Sequence, residues 1–286
     1  MLKITASTPS NRRTWAMRCI GATLLLLTTV PPAVADDTTV YRVGIVPQFD
    51  SRTIHDIWTP ILAQLQTRTG LRFELVGSAN IPAFEKKFEQ QEFDFAYMNP
   101  YHAVMAASHY VPLVRDVATQ LQGVIVVHID SPIKKLSDLQ GKNMDFPAPN
   151  SLAASLLPRA KLNEAGITVQ ARYVKTHTSV YLNVALGQTD AGGGIQQTLE
   201  EQPIAVREKL RVIDRTIAVA SHPLVANRRI SQDVREKVRA ALLALGETAD
   251  GRAMLSRIPM DKVGLATPAD YEALKQLGLH KVYVPN

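Results

Sequence analysis

The segment Met144-Asp145-Phe146-Pro147-Ala148-Pro149-Asn150-Ser151-Leu152-Ala153-Ala154-Ser155-Leu156-Leu157-Pro158-Arg159-Ala160-Lys161-Leu162 decides how the rest of the chain is read. An apolar strand over 144–146 stops at two prolines, and Asn150 or Ser151 then stands where a helix N-cap belongs, ahead of apolar residues at helical spacing. A strand running into a helix start is the local unit of an open α/β sheet. The first backbone N–H groups of such a helix lack internal partners and carry the positive end of its dipole, so a small anion placed there gains charge-assisted hydrogen bonds. The competing reading is that Asn150 and Ser151 simply cap the helix.

Working towards the N-terminus, the same alternation repeats. A β-branched run over 40–46 precedes Ile54, Ile57, Trp58, Ile61, Leu62 and Leu65, which recur at helical spacing until Gly70 ends the segment. Strands are predicted over 71–76 and 93–98, with a helix over 83–91 between them. Asn99-Pro100 then reads as a cap followed by proline at the first helical position. Residues 123–129 form a continuous apolar strand of the kind buried on both faces. Towards the C-terminus, strands are predicted over 171–174, 210–213 and 217–219, and helices over 178–186, 231–245, 246–256 and 268–277. Gly192-Gly193-Gly194 reads as a tight strand-to-helix turn. Ligands of open α/β sheets bind beyond the carboxyl ends of the strands.

Residues 1–35 read as an export leader: Lys3, Arg12, Arg13 and Arg18 without any acid, an apolar run over 20–30, and the small-residue site Ala33-Val34-Ala35. Cleavage near Ala35 would leave about 250 residues, enough for one large domain or two small ones. Of 32 Lys+Arg and 26 Asp+Glu the leader holds four basic residues, leaving 28 against 26, so the basic balance of the whole chain argues for no nucleic-acid partner. Cys19, the only cysteine, lies in the leader, which excludes a disulfide or thiol chemistry from the exported chain. The seven histidines show no metal-ligand pattern; His102 and His109 would share a helix face, but no carboxylate stands between them. No nucleophile elbow, P-loop or dinucleotide fingerprint is present, so no cofactor, metal or enzymatic activity is expected.

In order along the chain stand Gly44-Ile45-Val46-Pro47, Phe93-Asp94-Phe95-Ala96-Tyr97, Asp130-Ser131-Pro132-Ile133-Lys134, the segment 136–142, Pro149-Asn150-Ser151, His177, Gly187-Gln188-Thr189-Asp190-Ala191 and Ser221-His222-Pro223-Leu224-Val225. This succession resembles the phosphate/phosphite/phosphonate-binding proteins of ABC transporters. The resemblance implies a type II periplasmic binding fold: two α/β lobes, residues 36–121 with 214–286 and residues 122–213, joined by crossing strands and closing over a small oxyanion. It implies a monomer in the periplasm whose partner is an ABC permease. A membrane histidine kinase that senses the ligand, or an interaction module with a diverged cleft, are the alternatives.

The same resemblance implies site residues. Asn150, Ser151, Leu152 and Ala153 would surround the anion oxygens at the helix start, with His177 and Thr178 donating from the next helix. Asn99 would stand at the cap that opens its own helix, Tyr97 or Tyr101 would wall the cleft, and Gln197 and His222 would contact the far side. Phosphonate-specific members carry Ser-Thr-Ser where this chain has Ser151-Leu152-Ala153, and acidic residues where it has Gln197 and His222. Their aromatic positions fall on Ile81 and Met98. A buried ammonium without a carboxylate is costly, so the expected ligand lacks a cationic tail. A protonated His222 would strengthen anion binding at low pH.

Overall fold

The computed structural model describes residues 39–285, so the expected leader lies outside the described residues. In chain order the elements are β1 (Val40–Ile45), α1 (Ser51–Thr69), β2 (Arg72–Val76), α2 (Ile81–Glu89), β3 (Phe95–Tyr97), α3 (Pro100–Met105), β4 (Tyr110–Asp116), β5 (Leu121–His128) and β6 (Asn143–Phe146). Then follow α4 (Leu157–Glu164), β7 (Gln170–Tyr173), α5 (His177–Ala185), β8 (Ala191–Ile195), α6 (Gln196–Glu200), α7 (Ile204–Arg207), β9 (Leu210–Val219), β10 (Pro223–Asn227), α8 (Gln232–Gly246), α9 (Ala249–Leu255) and β11 (Val263–Leu265). They build a six-stranded sheet, order β11-β4-β10-β3-β1-β2, and a five-stranded sheet, order β7-β6-β8-β5-β9. The chain passes between the sheets twice, from β4 to β5 and from β9 to β10.

Helix α1 shows why the pattern was readable. Asp50 caps it, accepting from the N–H groups of Arg52 and Thr53 at 3.0 Å, and Gly70 closes it in the left-handed region at φ 71°. Its buried face is Ile54, Ile57, Trp58, Ile61, Leu62 and Leu65, the six residues at helical spacing. They share one hydrophobic core with Val43, Ile45 and Phe95 of the first sheet.

Strands β4 and β10 escaped the sequence reading. Pro112 sits inside β4, where a proline argues against a strand. The β10 pairing slips between Leu224 and Val225, opposite Pro112, and this bulge accommodates the missing N–H. The two strands expected over 210–213 and 217–219 are a single strand, β9, bent by two register shifts against β5. The expected lobe boundary at 213/214 therefore falls inside a strand.

The glycine triplet is not a turn. Gly192, Gly193 and Gly194 lie within β8, between β6 and β5. A Cβ on Gly193 would strike the Ala154 carbonyl oxygen and come within 2.6 Å of the Phe146 ring, and one on Gly123 of β5 would strike the Ala153 carbonyl oxygen. These two positions let the segment that follows β6 lie directly on the second sheet.

Candidate functional site

That segment begins with a π-type turn over Leu152–Leu156, in which the Leu156 N–H donates to Ser151 O at 3.0 Å, and continues as α4. The Ser155 N–H also reaches Ser151 O, at 2.9 Å, so the amides of Leu152, Ala153 and Ala154 are the ones that helix geometry leaves without an internal acceptor. Ser151 holds the N-cap position but its hydroxyl makes no capping bond. Nor does Asn150 cap the helix. Its Nδ2 donates to Glu85 Oε2 at 3.1 Å and to Val284 O at 2.8 Å, and its Oδ1 accepts from the Val284 N–H at 3.0 Å.

Asn150 thus joins a buried polar network that ties the loop after β6 to the first sheet's helices. Glu85 of α2 and His102 of α3 are both fully buried, with His102 Nε2 2.8 Å from Glu85 Oε1. Asn99 caps α3 by accepting from the His102 N–H at 2.8 Å, and its Nδ2 donates to Asn150 O at 3.3 Å. His102 is therefore held by Glu85, and no group of three metal-ligating side chains occurs among the described residues. Beside the network an apolar cluster packs Tyr101 against Leu152, Ala153, Leu156, Tyr271 and Tyr283.

Above the helix start lies a cavity of about 60 Å³, with room for a few waters or one small ion. Val46, Pro47 and Gln48 after β1, Ile81 at the start of α2, and Asn99 contribute one side. Leu121, Pro147, Ala148, Ser151, Leu152, Ala153, Lys175, Thr176, His177 and Ile195 form the other, and His222 ahead of β10 completes it. No carboxylate lines the cavity, and most of its wall is aliphatic.

Two histidines set its electrostatics. His177 opens α5, whose cap is Thr176: the Thr176 Oγ1 accepts from the Ser179 N–H at 3.0 Å. The His177 Nδ1 is buried with no hydrogen-bond partner among the described residues. Burial lowers the His177 pKa to about 4 from the ordinary 6.5. His222 Nε2 lies 2.9 Å from Gln48 Nε2, and its ring stacks on Tyr97 at 5.6 Å between centroids. Burial, reinforced by repulsion from His102 and His177, lowers its pKa to about 3. Both rings are neutral at physiological pH, so the expectation of a charged His222 strengthening anion binding does not hold for this structure.

Of the residues singled out from sequence, Asn99, Ser151, Leu152, Ala153, His177 and His222 meet at this cavity. Tyr97 stands behind His222, its ring against Trp58 and its hydroxyl donating to Ile258 O at 2.9 Å. Tyr101 lies in the apolar cluster, and Asn150 is held by Glu85 and Val284. Thr178 and Gln197 are exposed and do not line the cavity. The helix carrying Thr178 starts earlier than the apolar pattern suggests, so Thr176 takes the lining position, and Ile195 does so in place of Gln197. Gln48 and Lys175 were missed because both are single polar residues in loops, where periodicity gives no signal.

The profile of the family described as ABC transporter, phosphonate, periplasmic substrate-binding protein matches residues 43–271. The chain is 23% identical over 274 residues to the phosphonates-binding periplasmic protein of Escherichia coli (strain K12), covering 90% of this chain and 81% of the relative. A binding protein component of an ABC phosphonate transporter from Pseudomonas aeruginosa superposes with TM-score 0.72 at 22% identity, covering 85% of this chain and 86% of the other. PhnD1 from Prochlorococcus marinus (MIT 9301), solved in complex with methylphosphonate, superposes with TM-score 0.74 at 17% identity, covering 86% and 99% of the two chains. With two α/β sheets, a cavity between their loops and a family profile over most of its length, the chain belongs to the periplasmic phosphonate substrate-binding proteins of ABC transporters.

Proposed function

We propose that the cavity holds a small phosphorus oxyanion without a cationic tail, such as methylphosphonate, phosphite or phosphate, for delivery to a membrane permease. The carrying observation is the lining. Ser151, Leu152 and Ala153 at a helix start with unpaired amides, together with His177, line a space that contains no carboxylate. Amides and neutral donors suit an anion, whereas an ammonium would be desolvated with nothing to pair it. The aliphatic wall of Val46, Ile81, Leu121 and Ile195 suits a methyl or other short alkyl group. The relative solved with methylphosphonate supports the same ligand class.

In this reading the strands gathered on each sheet form two lobes, with the boundary at the β4–β5 and β9–β10 passages, and the ligand lies between them. The ligand is carried unchanged, the protein acts as a monomer, and the leader is removed near Ala35 on export. Calorimetry and thermal shift with methylphosphonate, phosphite, phosphate, sulfate and 2-aminoethylphosphonate test the proposal. Saturation at a hundred times Kd adds about 2.7 kcal/mol to stability. The expected result is a rise in Tm with a tail-less phosphorus oxyanion that His177→Ala abolishes. Preference for 2-aminoethylphosphonate, or no response to any phosphorus compound, would refute it.

A further inference from the structure

Lys175 is the single charged side chain among the residues that line the cavity. It sits in a backbone conformation that lysine rarely adopts. The Thr176 N–H donates to Val174 O at 3.0 Å, closing a three-residue turn around Lys175, whose φ is 76°. This is a γ-turn of the rare, strained hand, and a non-glycine residue is retained there at a cost in stability. Nothing in the fold's interior requires a long side chain at this point, because Lys175 is exposed. Lys175 makes no ion pair among the described residues, so its charge is not already committed to a carboxylate as that of Lys161 is to Asp214.

We infer that Lys175 is a specificity-determining residue that supplies the counter-charge to the bound oxyanion. The inference rests on the cavity being the anion site, and it answers a question that reading leaves open. His177 and His222 are neutral and the helix amides carry only partial charge, so without Lys175 no full positive charge faces the ligand. The turn around Lys175 also sets the start of α5, since its next residue is the Thr176 cap. Lys175 is thereby held at the cavity lining two residues before His177. A cation there favours ligands of net negative charge and works against those with an ammonium group.

The test uses the full chain, expressed with its own leader and purified from the periplasm, and calorimetry with methylphosphonate across a salt series. Lys175→Gln is expected to weaken binding roughly 10-fold at low ionic strength, the scale of one charge-assisted hydrogen bond. The difference should shrink by about 0.5 M salt, as screening removes the exposed charge's contribution. Lys175→Arg should keep most of the affinity. Lys175→Gly should weaken binding as the glutamine does while leaving Tm unchanged or higher, because glycine relieves the turn; a merely structural role would lower both together. Glutamine and glycine variants that bind as tightly as the wild type at every salt concentration, or an arginine variant as weak as the glutamine, would overturn the inference. A wild-type protein that binds no phosphorus oxyanion would remove the cavity reading itself, and Lys175's role with it.

Discussion

Lowering the pH from 8 to 5 should destabilise the ligand-free protein through two residues. His177 and His222 are neutral when folded, with pKa values brought to about 4 and about 3 by burial, against 6.5 for an exposed histidine. Between those values the unfolded chain binds protons that the folded chain does not, so stability is complete above pH 6.5 and falls as the pH drops through the window. At pH 5 each histidine accounts for a loss of about 2 kcal/mol, or about 4 kcal/mol together, a large share of a typical domain's stability. The carboxylates of Asp50, Asp138 and Asp270 are held below the ordinary 3.8, mainly by hydrogen bonds and, for Asp270, by Arg115 against its burial. Their contribution is lost only at still lower pH, leaving the histidine window clear. Urea unfolding at the two pH values reads the effect as a midpoint shift of roughly 1.5 M with the slope unchanged. His222→Gln and His177→Gln should each remove about half of the shift. A double variant that keeps the full pH dependence would refute the reasoning.

Asn150→Ala should cost roughly 2–4 kcal/mol, because it strips a donor from fully buried Glu85 and leaves the Val284 amide and carbonyl without their side-chain partner; chemical denaturation measures it. His102→Ala should cost about 2–4 kcal/mol by removing one of the two side-chain partners of fully buried Glu85 in the same network and leaving a cavity. Gly193→Ala should destabilise by roughly 1–3 kcal/mol and weaken methylphosphonate binding together, since the Cβ pushes the Ala154 carbonyl and moves the helix start that faces the cavity. Tyr97→Phe should cost about 1 kcal/mol for the lost bond to Ile258 O while binding persists, because the ring that stacks on His222 remains.

From the residues alone, α1 was legible to its buried face and its closing glycine, since an amphipathic helix writes its packing into a period of 3.6 residues. The strand over 144–146 and the helical segment that follows it were legible from their apolar pattern and the prolines between them, and with them the α/β class. Three matters were decided by tertiary contacts. Asn150 looks like a cap in sequence and is instead taken by Glu85 and the Val284 backbone, residues 65 and 134 positions away, because a fully buried carboxylate needs hydrogen-bond donors. The glycines of β8 look like a turn and are a central strand, because the Ala154 carbonyl and the Phe146 and Tyr181 rings occupy the space of their Cβ atoms. Which polar residues face the cavity was set by loops from both sheets meeting in space, which brought Gln48 to His222 across 174 residues and Lys175 to the rim. Local periodicity specifies which face of an element is buried; it carries no information about which loop of another element will lie opposite.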